Sequence, residues 1–280
     1  MVIYYLNDKF ISENMGSINI SDRGFLLGDG VFTTLKVASG KLIHFDEHIN
    51  RLKSNAQLIK INIQLNGSEI EDICQRLIKY NDFTNQNAII RITITRGISP
   101  RGINIPPQEL QSPTILICAM PFYDNSNVFL KICSTSIIRN EKSILTRIKS
   151  LNYLEPILAR DEAISKGYDD GLMFNTLGNI TESSVSNIFF LTLNQEIITP
   201  PIRDGVLPGI VRQAVITICE KLNIKCLEKS VTLANMKTYR AGFLTNCLWG
   251  IKLISILDDI MLSQSEPIVQ LIIDEYTHRL

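Results

Sequence analysis

The sequence is short of the features that would mark several large classes. It has 28 basic and 28 acidic residues, so net charge is absent. Residues 1–120 carry 12 basic and 11 acidic side chains, the remainder 16 and 17, so neither part is biased. That balance excludes a general nucleic-acid binder, a basic membrane arm and an acidic tail. No apolar run approaches the roughly 18 residues of a membrane span. The N-terminus lacks a basic stretch ahead of an apolar core, which argues against a signal peptide. Three histidines are too few for a typical histidine-based metal site, and His44 and His48 stand outside any H-E-x-x-H frame, so no metal is expected. The six cysteines (Cys74, Cys118, Cys133, Cys219, Cys226, Cys247) form no C-x-x-C pair and read as reduced, mostly buried thiols of a cytoplasmic protein. There is no repeat or low-complexity tract, and no G-x-G-x-x-G fingerprint.

What remains is a chain of 280 residues, 45% hydrophobic, long enough for about two domains. Ile3–Leu6 and Phe10–Ile11 read as strands around an Asn7-Asp8 turn, and Val31–Val37 turns at Ser39-Gly40 into Leu42-Ile43. Asp46 is a candidate cap for a helix bearing Ile49, Leu52, Ala56 and Ile59 on one face; Ile70, Ile73, Leu77 and Ile78 mark a second. Ala88–Thr95 and Thr114–Ala119 read as buried strands. The polar segment 121–127 is the candidate linker, giving a small domain over 1–120 and a larger one over 128–280. Asn152 and Glu155 have capping-box spacing for a helix reaching Lys166, with Pro156 in its first turn and Gly167 at its end. Leu172–Asn175, Asn187–Leu191 and Glu196–Thr199 read as strands, and Pro208-Gly209 opens a helix with Val211, Val215, Ile218 and Leu222 on its apolar face. Strands and helices do not alternate regularly, so the fold class is α+β.

Three features could carry chemistry. Gly28-Asp29-Gly30 is a turn ahead of a strand, the reverse of a dinucleotide loop. The helix start at Gly209 could hold an anion, because bare N–H groups and the helix dipole favour phosphate; most such starts bind nothing. Lys149, flanked by Ile148 and Leu151, is either an inward, nucleophilic amine or a surface lysine lying over apolar neighbours.

Taken in order, six segments resemble the class IV (fold-type IV) pyridoxal-phosphate enzymes, which include branched-chain and D-amino acid aminotransferases and 4-amino-4-deoxychorismate lyases. They are Asp22–Thr34, His48–Leu52, Lys149–Leu154, Gly178–Ile188, Asp204–Arg212 and Phe243–Gly250, spanning almost the whole chain. The resemblance implies a two-domain fold with a small N-terminal α/β domain and a larger β-barrel-like one, and commonly a homodimer. It implies pyridoxal 5'-phosphate carried by Lys149, which also moves the substrate's proton. Glu182 would face the pyridine nitrogen, and Arg51 with the backbone of Gly209, Ile210 and Val211 would hold the phosphate. Tyr153 would contact the 3-oxygen. Val211 and Cys247 stand where family members often have threonine.

On the substrate side, Phe32-Thr33-Thr34, Arg96 and Arg101 in their Arg-Gly pairs, and Asn246-Cys247-Leu248 are similar to the lyase patterns. In that group Thr34 would assist proton transfer, and Phe32, Arg96, Arg101 and Asn246 would contact substrate. The implied activity is release of pyruvate and 4-aminobenzoate from 4-amino-4-deoxychorismate, a step of folate biosynthesis, with no nucleic acid or membrane as partner. An aminotransferase of the same family is the alternative.

Overall fold

The computed structural model describes residues 2–99, 102–124 and 128–279. The chain divides into two compact units, Met1–Asp124 with Lys149–Asn152, and Asn125–Ile148 with Tyr153–Leu280. The candidate linker at 121–127 begins on Pro121, the last residue of a strand, and 125–127 lie outside the described residues.

The first unit is built on a six-stranded sheet in the order β2-β1-β6-β5-β3-β4. The strands are β1 (Ile3–Leu6), β2 (Lys9–Ser12), β3 (Gly30–Ala38), β4 (Lys41–Leu42), β5 (Ala88–Thr95) and β6 (Thr114–Pro121), and every pairing is antiparallel. Alternation along the central strands decides the layers. Val31, Leu35, Ile90, Ile92 and Ile117 are buried on one face with Ile49, Leu52 and Ala56 of α2 (Phe45–Leu58) and Ile70, Cys74 and Leu77 of α3 (Gly67–Tyr80). Phe32, Thr34 and Arg91 alternate onto the opposite face, with Thr34 directly across from Arg91. The short α1 (Arg23–Leu27) is capped by the Asp22 carboxylate, which accepts from Gly24 N at 2.7 Å, and ends on Gly28 at φ +66°, where a glycine is favoured.

Asp46 is not the cap of α2. His44 is, in a left-handed conformation, and Asp46 lies in the first turn, where its charge still suits the helix dipole. The Asn152–Glu155 capping box also fails. α4 (Leu154–Ser165) is entered from Tyr153 without a side-chain cap, while Asn152 Nδ2 instead donates to the Gly28 carbonyl at 3.1 Å. The reason is a strand edge. β4 covers only Val37 and Ala38 of β3, and residues 149–151 take the open edge at its start: Phe32 N donates to Lys149 O at 2.9 Å, and Leu151 N to Gly30 O at 3.0 Å.

The second unit is a nine-stranded sheet in the order β12-β11-β10-β13-β14-β7-β8-β9, with β15 beside β14. Its strands are β7 (Phe129–Arg139), β8 (Asp170–Asn175), β9 (Ile180–Ser183), β10 (Asn187–Thr192), β11 (Ile197–Thr199), β12 (Cys226–Glu228), β13 (Tyr239–Asn246), β14 (Gly250–Leu257) and β15 (Ile260–Met261). Three pairings are parallel, β7 with β8, β7 with β14, and β11 with β12. β9 and β10 meet across a tight turn, Ser183 N donating to Ser186 O at 2.8 Å, so the sheet curls into a half-barrel. Phe189 and Leu191 of β10 and Ala241 and Phe243 of β13 bury against α5 (Ile210–Lys221) and α6 (Pro267–Thr277), while Ile188, Phe190 and Leu244 belong to a second core on the other face. β9 is a strand the sequence did not announce, since Ile180–Ser183 is too short and polar for a period to register. No disulfide forms among the described residues, and three of the six cysteines are only half-buried.

Candidate active site

The edge segment carries Lys149 onto the face of the first sheet opposite its helices. Its Nζ stands 4.7 Å from the centre of the Phe32 ring, and the Arg91 guanidinium lies 3.9 Å from the same ring. One aromatic side chain thus faces two cations, each attracted to its π face. Half-buried Lys149 is therefore held over β3 rather than extended into water. Arg91 was not singled out in the sequence; its only advance signal was alternation, which places it across from Thr34.

On the helix side of the same strand, Thr33 is fully buried and shares a 2.7 Å hydrogen bond with His48 Nδ1. Arg51 Nη2 donates to the same hydroxyl at 3.5 Å. Burial first, then the positive charges of Arg51, His44 and Lys149, hold the His48 imidazole well below its ordinary range, so it is neutral near pH 7. On unfolding it regains a value near 6.5. Below that pH the unfolded chain binds the extra proton, so folding stability falls as pH drops. Urea unfolding of the apoprotein between pH 7 and 5 checks this: His48→Asn, which keeps a partner for Thr33, is expected to show the shallower loss.

Arg96 is bonded within the first unit. It is 2% exposed, and its donors are taken by both Asp29 oxygens (2.8 and 2.9 Å) and by the carbonyls of Ile59 (2.7 Å) and Lys60 (2.9 Å). Burial alone would push the Asp29 carboxyl up, but Arg96 and Arg23 outweigh it and hold the group below its usual range. The guanidinium braces the 28–30 turn. Arg101 lies outside the described residues.

In the second unit Glu182 is buried on β9. Arg139 Nη1 lies 2.8 Å from Oε1, while Asn187 Nδ2 (3.0 Å) and Leu207 N (3.1 Å) donate to Oε2. All three are donors, and each favours the ionised carboxylate. Leu207 belongs to the loop that leads into α5. Gly209 is the N-cap of α5 and supplies no side-chain cap, so the first N–H groups, those of Ile210 and Val211, start a helix whose dipole favours an anion. A Cβ on Gly209 would fall on Asn187 Oδ1, so the position admits only glycine without rearrangement. The Val211 side chain points into the core with Val215 and Phe243, which leaves only its backbone for an anion.

Tyr153 is the half-buried entry residue of α4. Asn246 Oδ1 accepts from Leu248 N (2.9 Å) and Trp249 N (3.1 Å), forming the turn between β13 and β14. Cys247 is half-buried beside α6, and burial pushes the hydroxyl of neighbouring Tyr276 up. Thr245, two residues earlier on the same face of β13, is paired with Asn187 in β10 and has a buried hydroxyl with no partner among the described residues. In this unit Arg139, Asn187 and Thr245, like Arg91 in the first, were not singled out in the sequence.

The first unit holds a primary amine over an aromatic face, and the second holds a buried carboxylate fed by donors and an uncapped helix start; taken unit by unit, these groups fit pyridoxal phosphate. The family model for amino-transferase class IV matches residues 30–256, and the chain belongs to that family. The family is pyridoxal-phosphate-dependent. A Methanocaldococcus jannaschii protein described as a branched-chain-amino-acid aminotransferase is 31% identical over 243 residues, 86% of this chain and 83% of that one. The aminodeoxychorismate lyase of Bacillus subtilis is 28% identical over 243 residues, covering 86% and 82%. A Legionella pneumophila structure described as a 4-amino-4-deoxychorismate lyase superposes with a TM-score of 0.89 at 29% identity, over 96% of this chain and 98% of that one. The fold is shared with a T.th. branched-chain amino acid aminotransferase, TM-score 0.88 at 19% identity over 100% and 95%, whose structure holds a phosphopyridoxyl-glutamate. The chain is thus a class IV pyridoxal-phosphate enzyme, and no helix among its described residues is long and apolar enough to cross a membrane.

Proposed function

We propose that this enzyme is an aminodeoxychorismate lyase, converting 4-amino-4-deoxychorismate to 4-aminobenzoate and pyruvate on the route to folate in the cytoplasm. The observation that carries the reading is the Phe32-Thr33-Thr34 triplet. Its pleat sends Thr33 to His48 and leaves Thr34 on the face where Lys149 stands over Phe32. A hydroxyl in that place suits a reaction that must deliver a proton to a leaving enol carbon. When bound, the cofactor supplies an electron sink for the pair released at the amine-bearing carbon. Lys149 takes the proton from that carbon and returns one to the leaving group with the help of Thr34. Glu182 holds positive charge at the pyridine nitrogen. Arg51 and the N–H groups after Gly209 hold the phosphate, Tyr153 contacts the 3-oxygen, and Cys247 lies at the edge of the phosphate position. Phe32, Arg101 and Asn246 contact the substrate. Substrate and products balance without a co-substrate, and formation of an aromatic ring drives the reaction.

The assay is direct. Purified enzyme with 4-amino-4-deoxychorismate is expected to release pyruvate and 4-aminobenzoate in equal amounts. Amino-group exchange into 2-oxoglutarate from branched-chain or D-amino acids, with no pyruvate from the first substrate, would instead make it a transaminase.

The enzyme works as a homodimer in this reading. Phe25, Leu26 and Leu27 of α1 are exposed. So are Ile98, whose segment bridges to Asp22, and Ile103, next to the Gly102 carbonyl that accepts from Arg23 at 2.8 Å. Such a patch suits a second copy. Sedimentation is expected to give twice the chain mass of 31.6 kDa, and Leu26→Asp to shift the population to monomer.

A further inference from the structure

Asn187 is used by no step above, yet it touches both halves of the cofactor site in the second unit. Its Nδ2 donates to Glu182 Oε2 at 3.0 Å and to the Leu207 carbonyl at 2.9 Å. Leu207 N returns a bond to the same Glu182 oxygen at 3.1 Å. The Asn187 Oδ1 occupies the space a Cβ on Gly209 would need, so amide and helix start are in contact. The side chain is 5% exposed, and its backbone is fixed by pairing with Thr245 in β13. One amide therefore ties a carboxylate on β9 to the loop that delivers the N-terminus of α5.

We infer that Asn187 is a positioning residue that couples the pyridine end of the cofactor site, Glu182, to its phosphate end, the α5 N-terminus. The inference rests on the cofactor placement given above. The amide has two N–H donors, and the two acceptors named use both. A carboxylate in its place would repel Glu182 and could not donate to either acceptor. A methyl would leave Oε2 and the Leu207 carbonyl one donor short. In either case both ends of the site loosen together, whereas a residue serving only Glu182 would leave the phosphate end unchanged.

The experiment titrates the apoprotein with three probes by calorimetry: pyridoxal 5'-phosphate, pyridoxal without the phosphate, and inorganic phosphate. Wild type, Asn187→Ala, Asn187→Asp and Glu182→Gln are compared, with cooperative thermal melting of each apoprotein as the control for folding. Asn187→Asp keeps the side-chain shape if the alanine variant melts poorly. Both Asn187 variants are expected to weaken pyridoxal 5'-phosphate by about tenfold or more, the scale on which supporting-residue losses act, and to weaken pyridoxal and inorganic phosphate each several-fold. Glu182→Gln is expected to weaken pyridoxal more than it weakens inorganic phosphate. Asn187 variants that weaken only one of the two partial probes, or neither, overturn the coupling. A wild-type enzyme that binds the cofactor but releases no pyruvate from 4-amino-4-deoxychorismate overturns the lyase reading and leaves the coupling intact.

Discussion

Replacing Lys149 with alanine is expected to lower turnover by at least about 10⁴-fold, because the proposed mechanism gives this one amine two tasks, covalent attachment of the cofactor and proton transfer. The other amine described on the Phe32 face of β3, Lys36, lies over the Phe122 ring instead. Arg91 is close to Phe32, but a guanidinium neither attacks a carbonyl nor gives up a proton near neutral pH. The fold should survive. Residues 149–151 are held through backbone bonds to Gly30 and Phe32, which the substitution leaves in place while it removes the cation from the Phe32 ring. Melting of the apoprotein is therefore expected to stay within a few degrees of wild type, while the visible absorbance of lysine-bound cofactor disappears. Partial recovery of turnover on adding a small primary amine would show that the missing group is the amine itself. A variant that keeps both the band and its turnover would remove Lys149 from the chemistry.

Glu182→Gln is expected to cost stability as well as rate. The carboxylate and Arg139 are both almost fully buried, 8% and 9% exposed, at 2.8 Å. An amide leaves the guanidinium without its counter-charge, and its own NH₂ must face Arg139 or the Asn187 and Leu207 donors. Breaking a buried pair from one side typically costs about 3–5 kcal/mol, read as a fall in the urea midpoint of the apoprotein. The rate effect is separate. An uncharged partner no longer balances a protonated pyridine nitrogen, and loss of such a preorganised charge is worth roughly 10²–10³-fold in kcat. Glu182→Asp, which keeps the charge but withdraws it by one methylene, should recover part of the rate. A Glu182→Gln enzyme with unchanged kcat would detach this carboxylate from the cofactor.

Much of this arrangement was legible before the fold. The β-rich run Val31–Val37 read as a strand, which it is, and the spacing of Ile70, Ile73, Leu77 and Ile78 marked α3 and its buried side. Family likeness named Lys149, Glu182 and Arg51. What was not legible depends on contacts that local pattern does not encode. Arg139 reaches Glu182 only because β7 and β9 flank β8, and Arg91 reaches Phe32 only through the β3–β5 register. The bonds of Arg96 to Asp29 and to the carbonyls of Ile59 and Lys60 likewise depend on the fold rather than on its Arg-Gly pair. Asn152 has the right spacing for a cap, but the strand edge of β3 claimed its segment first. Asp46 was misplaced by two residues because an acidic side chain is equally at home at a cap and in the first turn.

Two adjacent threonines meet very different constraints. Thr33 is locked between His48 and Arg51 inside the helix-facing core, whereas Thr34 stands on the open face across from Arg91. A change of chemistry along this strand can therefore be written in the even-numbered positions while the odd-numbered ones keep the sheet stable. Divergence between elimination and amino-group transfer on this scaffold would then need few compensating mutations, and libraries aimed at new substrates have reason to vary positions 32, 34 and 91 together while leaving 33 alone.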